Sequence, residues 1–168
     1  LLSMRDVRMI MENHYAQIKR IENNLEKINK KVLSEFEPYC SPESLVKLKN
    51  ALIEISDAVL FANKALHALK EKIAEKNRTD SSELRKRFDA QLDRLKVALK
   101  LFRDLGAEAL PENMHVQWES KIEALESTLL SSIVSYAKSC KVELQMIERY
   151  TTDELNMITQ IVLTKIPK

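Results

Sequence analysis

Metal, thiol or phosphate chemistry in this chain would have to draw on three histidines, two cysteines and a single glycine. His14, His67 and His115 stand far apart. No histidine lies three or four residues from another histidine or from a cysteine, the spacing at which a helix offers two ligands to one metal. His14 falls at an inward position of a helical stripe, where a core histidine with one hydrogen-bond partner is expected. His67 and His115 read as surface residues. One glycine cannot build the loop that cradles a phosphate. Cys40 and Cys140 are expected at opposite ends of a bundle, on the order of 50 Å apart, whereas a disulfide needs alpha carbons within about 7 Å. Cys140 takes an inward position and reads as an inert core thiol. The expectation is therefore no catalytic residue, no cofactor and no metal, with free thiols that suit a reducing, cytoplasmic setting.

Charge is more informative than the nucleophiles. Residues 64–103 carry twelve Lys and Arg against six Asp and Glu, although the whole chain is only +2. The excess gathers where a second and a third helix should meet: Lys70, Lys72, Lys76, Arg78, Arg85, Lys86 and Arg87. Such a tip suits an anionic membrane surface or an acidic partner. Nucleic acid is disfavoured, because no aromatic residue interleaves the charges for base stacking.

These residues must be carried by helices. One glycine and four prolines among 168 residues leave no turns for a sheet, and the apolar content is too high for disorder. No apolar run approaches the ~18 residues of a membrane span. The pattern predicts an all-α fold, an elongated antiparallel four-helix bundle or coiled-coil rod with one over-long C-terminal helix. It forms a single domain over 1–168 and reads as a piece of a longer protein. Helices are expected over about 3–36, 42–76, 81–105 and 111–166. The first carries Met4, Val7, Met11, His14, Ile18, Ile21, Leu25, Ile28 and Val32 inward. In the second, Leu48, Leu52, Ile55, Val59, Ala62 and Leu66 form the stripe, and Ala51, Ala58 and Ala65 admit a close neighbour. Val46, Ile53, Leu60 and Phe61 lie on its other faces, which predicts a central helix covered all round. Ser41 and Pro42 should cap its start, and Gly106 should close the third helix in a left-handed conformation. Leu66, Leu95 and Leu125 are expected in one layer with His14.

The last helix repeats every eleven residues, from Trp118, Ile122 and Leu125 through Leu129, Ile133 and Tyr136 to Leu155, Ile158, Val162 and Ile166. Unbroken, it would exceed 75 Å or so and overhang its neighbours from about Tyr136 to Cys140 onward. A capping box at Thr151 and Glu154 is the alternative and would fold the tail back. Ser127, Ser131 and Ser135, with Leu130 and Val134 between them, mark an uncharged back that suits contact with another helix. The expected contact residues for a protein partner or a homodimer are thus Leu130, Val134, Leu155, Ile158, Ile161, Val162 and Ile166. The functional expectation is a non-enzymatic interaction module, a scaffold or tether segment acting through its C-terminal helix. The alternative is a dimeric module that touches membrane with the basic hairpin tip.

Overall fold

The computed structural model describes residues 4–74 and 82–146. Over these the chain is all-helical, with no strand: α1 spans Met4–Val32, α2 Pro42–Ala74, α3 Ser82–Ala109 and α4 His115–Met146. The four pack as a bundle around one continuous apolar core. Polar contacts fix how the helices lie against each other. Asn29 Nδ2 donates to Ser56 Oγ at 2.6 Å between α1 and α2. Arg94 of α3 pairs with Glu54 and Asp57 of α2. Arg103 of α3 reaches Glu119 and Glu126 of α4 at 2.9 and 3.1 Å.

The start of α2 follows from its sequence. Ser41 Oγ accepts the Ser44 N–H at 3.1 Å, the Ser41 carbonyl accepts the Leu45 N–H at 3.0 Å, and Pro42 fills the first helical position. The end of α1 is earlier than expected. The helix stops at Val32 rather than Phe36, and the chain tightens through turns into a 3₁₀ segment at Glu37–Tyr39. Ser34 Oγ donates to the Lys31 carbonyl at 2.8 Å, competing with the helical ladder, and Pro38 disfavours helical backbone at Glu37. Leu33 and Phe36 stay buried, so the turn still closes the lower end of the core.

Among the described residues α2 and α3 are the most closely packed pair. Ala51, Ala58 and Ala62 of α2 are buried, Ala65 is partly buried, and Ala98 of α3 is buried. Small side chains there let the two backbones approach. The remaining sides of α2 depart from expectation. Val46, Ile53 and Phe61 are exposed and only Leu60 is partly covered, because three helices cannot surround a fourth in a bundle this small.

Gly106 is a second correction. α3 does not end there but runs on to Ala109, and the Leu110 N–H reaches the Gly106 carbonyl at 3.0 Å as in a helix. A Cβ built on Gly106 would overlap the indole of Trp118. Glycine is needed for close approach, not for a left-handed cap. Trp118 packs its ring edge-on against Phe36 at 5.1 Å and tilted against Phe102 at 5.0 Å, and its Nε1–H donates to the Arg103 carbonyl at 2.9 Å. His115 is half-buried rather than a surface residue, with Nε2 3.0 Å from the Leu110 carbonyl, where its N–H donates across the α3–α4 connection.

The layer assignment also shifts. Tyr136 Oη lies 3.4 Å from Nδ1 of the half-buried His67, so Leu66 sits level with the Ile133–Tyr136 stretch of α4. Leu125 lies about three helical turns lower, level with Ile55. The His14 side chain, the overhang beyond Met146 and the break at Thr151 lie outside the described residues.

Helix propensity alone would have Gly106→Ala stabilise the bundle by about 1 kcal/mol. The Trp118 contact reverses the sign: denaturant unfolding should show a loss of about 1–3 kcal/mol.

Candidate interaction surface

Among the described residues no cluster of three or more His, Cys, Asp or Glu could hold a metal, and no helix is long and apolar enough to cross a membrane. Cys40 is a half-buried free thiol in the turn after α1. Burial first, and then the nearby Glu37 carboxylate, push its pKa up, which keeps it in the poorly nucleophilic protonated form. The side chain of Cys140 is outside the described set.

The basic tip is described only in part. Lys86 and Arg87 are exposed at the upper end of α3, and Arg87 lies 3.8 Å from Glu83 on the same helix. Arg85 is half-buried. Lys70 and Lys72 lie on α2 with side chains outside the described set, and Lys76 and Arg78 fall outside the described residues.

The structure brings the two expected contact residues of α4 into its own core side. Leu130 is 6% exposed and Val134 is partly buried against the core, whereas Ser127, Ser131 and Ser135 are exposed. The eleven-residue register traces one inward line, but a helix wedged between two neighbours buries a wider arc, and Leu130 lies on the arc that faces α3. Most of its surface is covered within the chain, and the remainder opens into the cleft towards α3. Leu155, Ile158, Ile161, Val162 and Ile166 fall outside the described residues.

α4 is flanked by a groove on each side. Towards α3, Leu92, Leu95, Leu99 and Leu130 floor a cleft of about 340 Å³, edged by Lys96 and Lys100 and closed below by Arg103. Towards α1, a cleft of about 330 Å³ is floored by Ile21, Leu25, Ile28 and Leu129 and edged by Lys27 and Lys31. Lys96 and Lys100 are exposed and make no ion pair among the described residues. Arg103, by contrast, is held between the two α4 glutamates. The cleft towards α3 is therefore an apolar trough whose α3 edge carries Lys96 and Lys100, with no ion pair among the described residues, and Asp104 at its lower end. On the far side of α3, the Arg94 hydrogen bond first and its charge second hold the Glu54 carboxyl below the usual range, and the same contact raises Arg94.

One polar core residue escaped the sequence reading. Asn63 is fully buried; its Nδ2 donates to the Val59 carbonyl at 2.9 Å, and its buried Oδ1 has no hydrogen-bond partner among the described residues. The signal was present, since Asn63 directly follows the stripe residue Ala62, on the border of the apolar arc. Compared with known protein families, with curated proteins and with solved structures, the chain matches none.

A buried acceptor without a partner is costly. Asn63→Leu should raise stability by about 1 kcal/mol in thermal or denaturant unfolding, and a loss of similar size would mean that Oδ1 is satisfied in solution.

Proposed function

We propose that the chain is a non-enzymatic protein–protein interaction module, a scaffold or tether segment that works by helix–helix docking along α4 in a cytoplasmic setting. The observation that carries this reading is the α3–α4 trough, with a leucine floor of Leu92, Leu95, Leu99 and Leu130 beside the cations Lys96 and Lys100, which make no ion pair among the described residues. An amphipathic helix would lay its apolar stripe on that floor and set carboxylates against the lysines. The exposed serines of α4 keep the adjoining face small and uncharged, so such a helix meets no repulsion there. The inward register continues in sequence through Leu155, Ile158, Val162 and Ile166, which supports an elongated rod whose C-terminal helix outruns the bundle and offers further docking length.

A labelled peptide with a leucine stripe flanked by glutamates is a direct probe. It should bind in fluorescence anisotropy, more weakly as salt rises, and Lys96→Glu with Lys100→Glu should weaken it about tenfold or more. Equal affinity for wild type and variant would remove the trough from the proposal.

The second reading, a module touching anionic membrane with its hairpin tip, is supported by the exposure of Lys86 and Arg87. It requires sedimentation with acidic but not neutral liposomes, lost when Arg85, Lys86 and Arg87 are changed to Glu. Equal behaviour with both liposomes would eliminate it.

A further inference from the structure

The outward sides of α2 and α3, away from the trough, carry large apolar side chains that no described helix covers. Val46 is 59%, Ile53 56% and Phe61 45% exposed on α2, and Val97 is 70% and Leu101 51% exposed on α3. Seven- and eight-residue steps put the three α2 residues on one stripe, and Val97 and Leu101 are one turn apart. The Arg94–Glu54 contact sets the levels of the antiparallel pair. Counting from it, Val46 lies beside Leu101 and Ile53 beside Val97. The five side chains therefore form two apolar stripes on one face about 22 Å long, with on the order of 400–500 Å² of bare apolar surface, on either side of the half-exposed cluster of Arg94 with Glu54 and Asp57. That matches the apolar share of one side of a standard interface, about 60% of about 800 Å².

The charges around the patch are ordered. Exposed Glu43 of α2 and Asp104 of α3 stand at the lower end, and exposed Lys64 of α2 with Lys86 and Arg87 of α3 at the upper end. Lys64 Nζ lies 5.3 Å from the centre of the Phe61 ring, at the edge of the patch. Lys47 at the acidic end and Glu83 at the basic end run against this order, but Glu83 already lies 3.8 Å from Arg87. Counted from Ile53 on α2 and from the level of Leu95 opposite it on α3, the acidic and basic groups stand at similar distances from the middle of the patch, about 12–17 Å on either side.

We propose that this face is a self-association surface, on which a second copy of the chain packs antiparallel about a two-fold axis passing near Ile53 and Val97. An isologous interface must be self-complementary, and unlike charges equidistant from its centre meet that condition. Rotation about an axis across the two helices lays α2 on α2 and α3 on α3. Glu43 then faces Lys64 of the second copy, Asp104 faces Lys86 and Arg87, and Val46 meets Phe61. Ile53 and Val97 each lie beside their own symmetry mates. A partner with one uniform charge would meet repulsion at one end, so a second copy is the occupant that the charge order fits. This surface shares only Asp104 with the edge of the α3–α4 trough and does not depend on the docking reading.

Sedimentation equilibrium on the full 168-residue chain tests the proposal. A dimer is expected whose dissociation constant rises with salt. Val97→Glu, at a site so exposed that folding should be unaffected, is expected to weaken it about tenfold or more while circular dichroism stays unchanged. Asp104→Arg should weaken the dimer, and adding Lys86→Glu with Arg87→Glu should restore it, a rescue that a general loss of solubility or folding would not give. Ile53→Cys should cross-link between chains on oxidation, whereas Val116→Cys, 82% exposed and outside the face, should not. A chain that remains monomeric at high micromolar concentration overturns the proposal. So does a dimer that survives Val97→Glu combined with Leu101→Glu, and if that dimer is lost on Ile158→Glu, the C-terminal segment is the contact instead.

Discussion

The close approach of α2 and α3 is the constraint on which the rest of the bundle depends. α2 touches every other helix, as α4 does, but packs most closely with α3, and its alanines at 51, 58 and 62 bring α3 near enough for side chains on both sides of the seam to serve different purposes. Inward, Ile55, Leu66, Leu92 and Leu95 make a core that needs only one further pair of helices to close. Outward, the same approach brings the stripe of Val46 and Ile53 level with that of Val97 and Leu101, with the Arg94 pairs to Glu54 and Asp57 at the seam between them. A larger residue at Ala58, fully buried, would push the helices apart and disturb both sides together.

Against this pair, α4 is located by one bulky residue at its base. Trp118 enters the gap that Gly106 leaves in α3, rests on Phe36 and Phe102, and ties its indole to the Arg103 carbonyl. Arg103 then spends its guanidinium on Glu119 and Glu126, so the lower part of the α3–α4 boundary is neutralised and shut. Higher up, Lys96 and Lys100 make no such pair among the described residues, and the boundary relaxes into a trough. The position of the open stretch is thus a by-product of how firmly the base is fastened.

Much of this was readable from residue order. The stripe in α2, the alanines beside it and the Ser41–Pro42 cap follow from periodicity and from capping chemistry that act over a few residues. What could not be read depends on the lie of neighbouring helices. Gly106 carries the same letter whether it ends a helix or admits an indole, and only the placement of Trp118 decides. Leu130 reads as part of a serine-rich back until α3 is seen to cover it. The shared layer of Leu66 and Leu125 failed because the level of α4 is set by the 3₁₀ turn and by Trp118, which apolar spacing does not encode. The exposure of Val46, Ile53 and Phe61 reflects the small number of helices, not anything in α2 itself. The candidate surfaces were legible as residues of the right kind, but not as neighbours: Lys96 and Lys100 are ordinary helix lysines until a leucine floor lies beside them.

Trp118 is the only tryptophan in the chain and is 1% exposed, between Phe36 and Phe102. Its emission consequently reports on the base of the bundle alone, and the two halves of the molecule have separate optical signatures. Melting of the upper end, around Leu66 and Tyr136, would lower the helical circular dichroism while leaving the indole spectrum blue-shifted. Loss of both signals at one temperature would instead mark the whole core as a single cooperative unit.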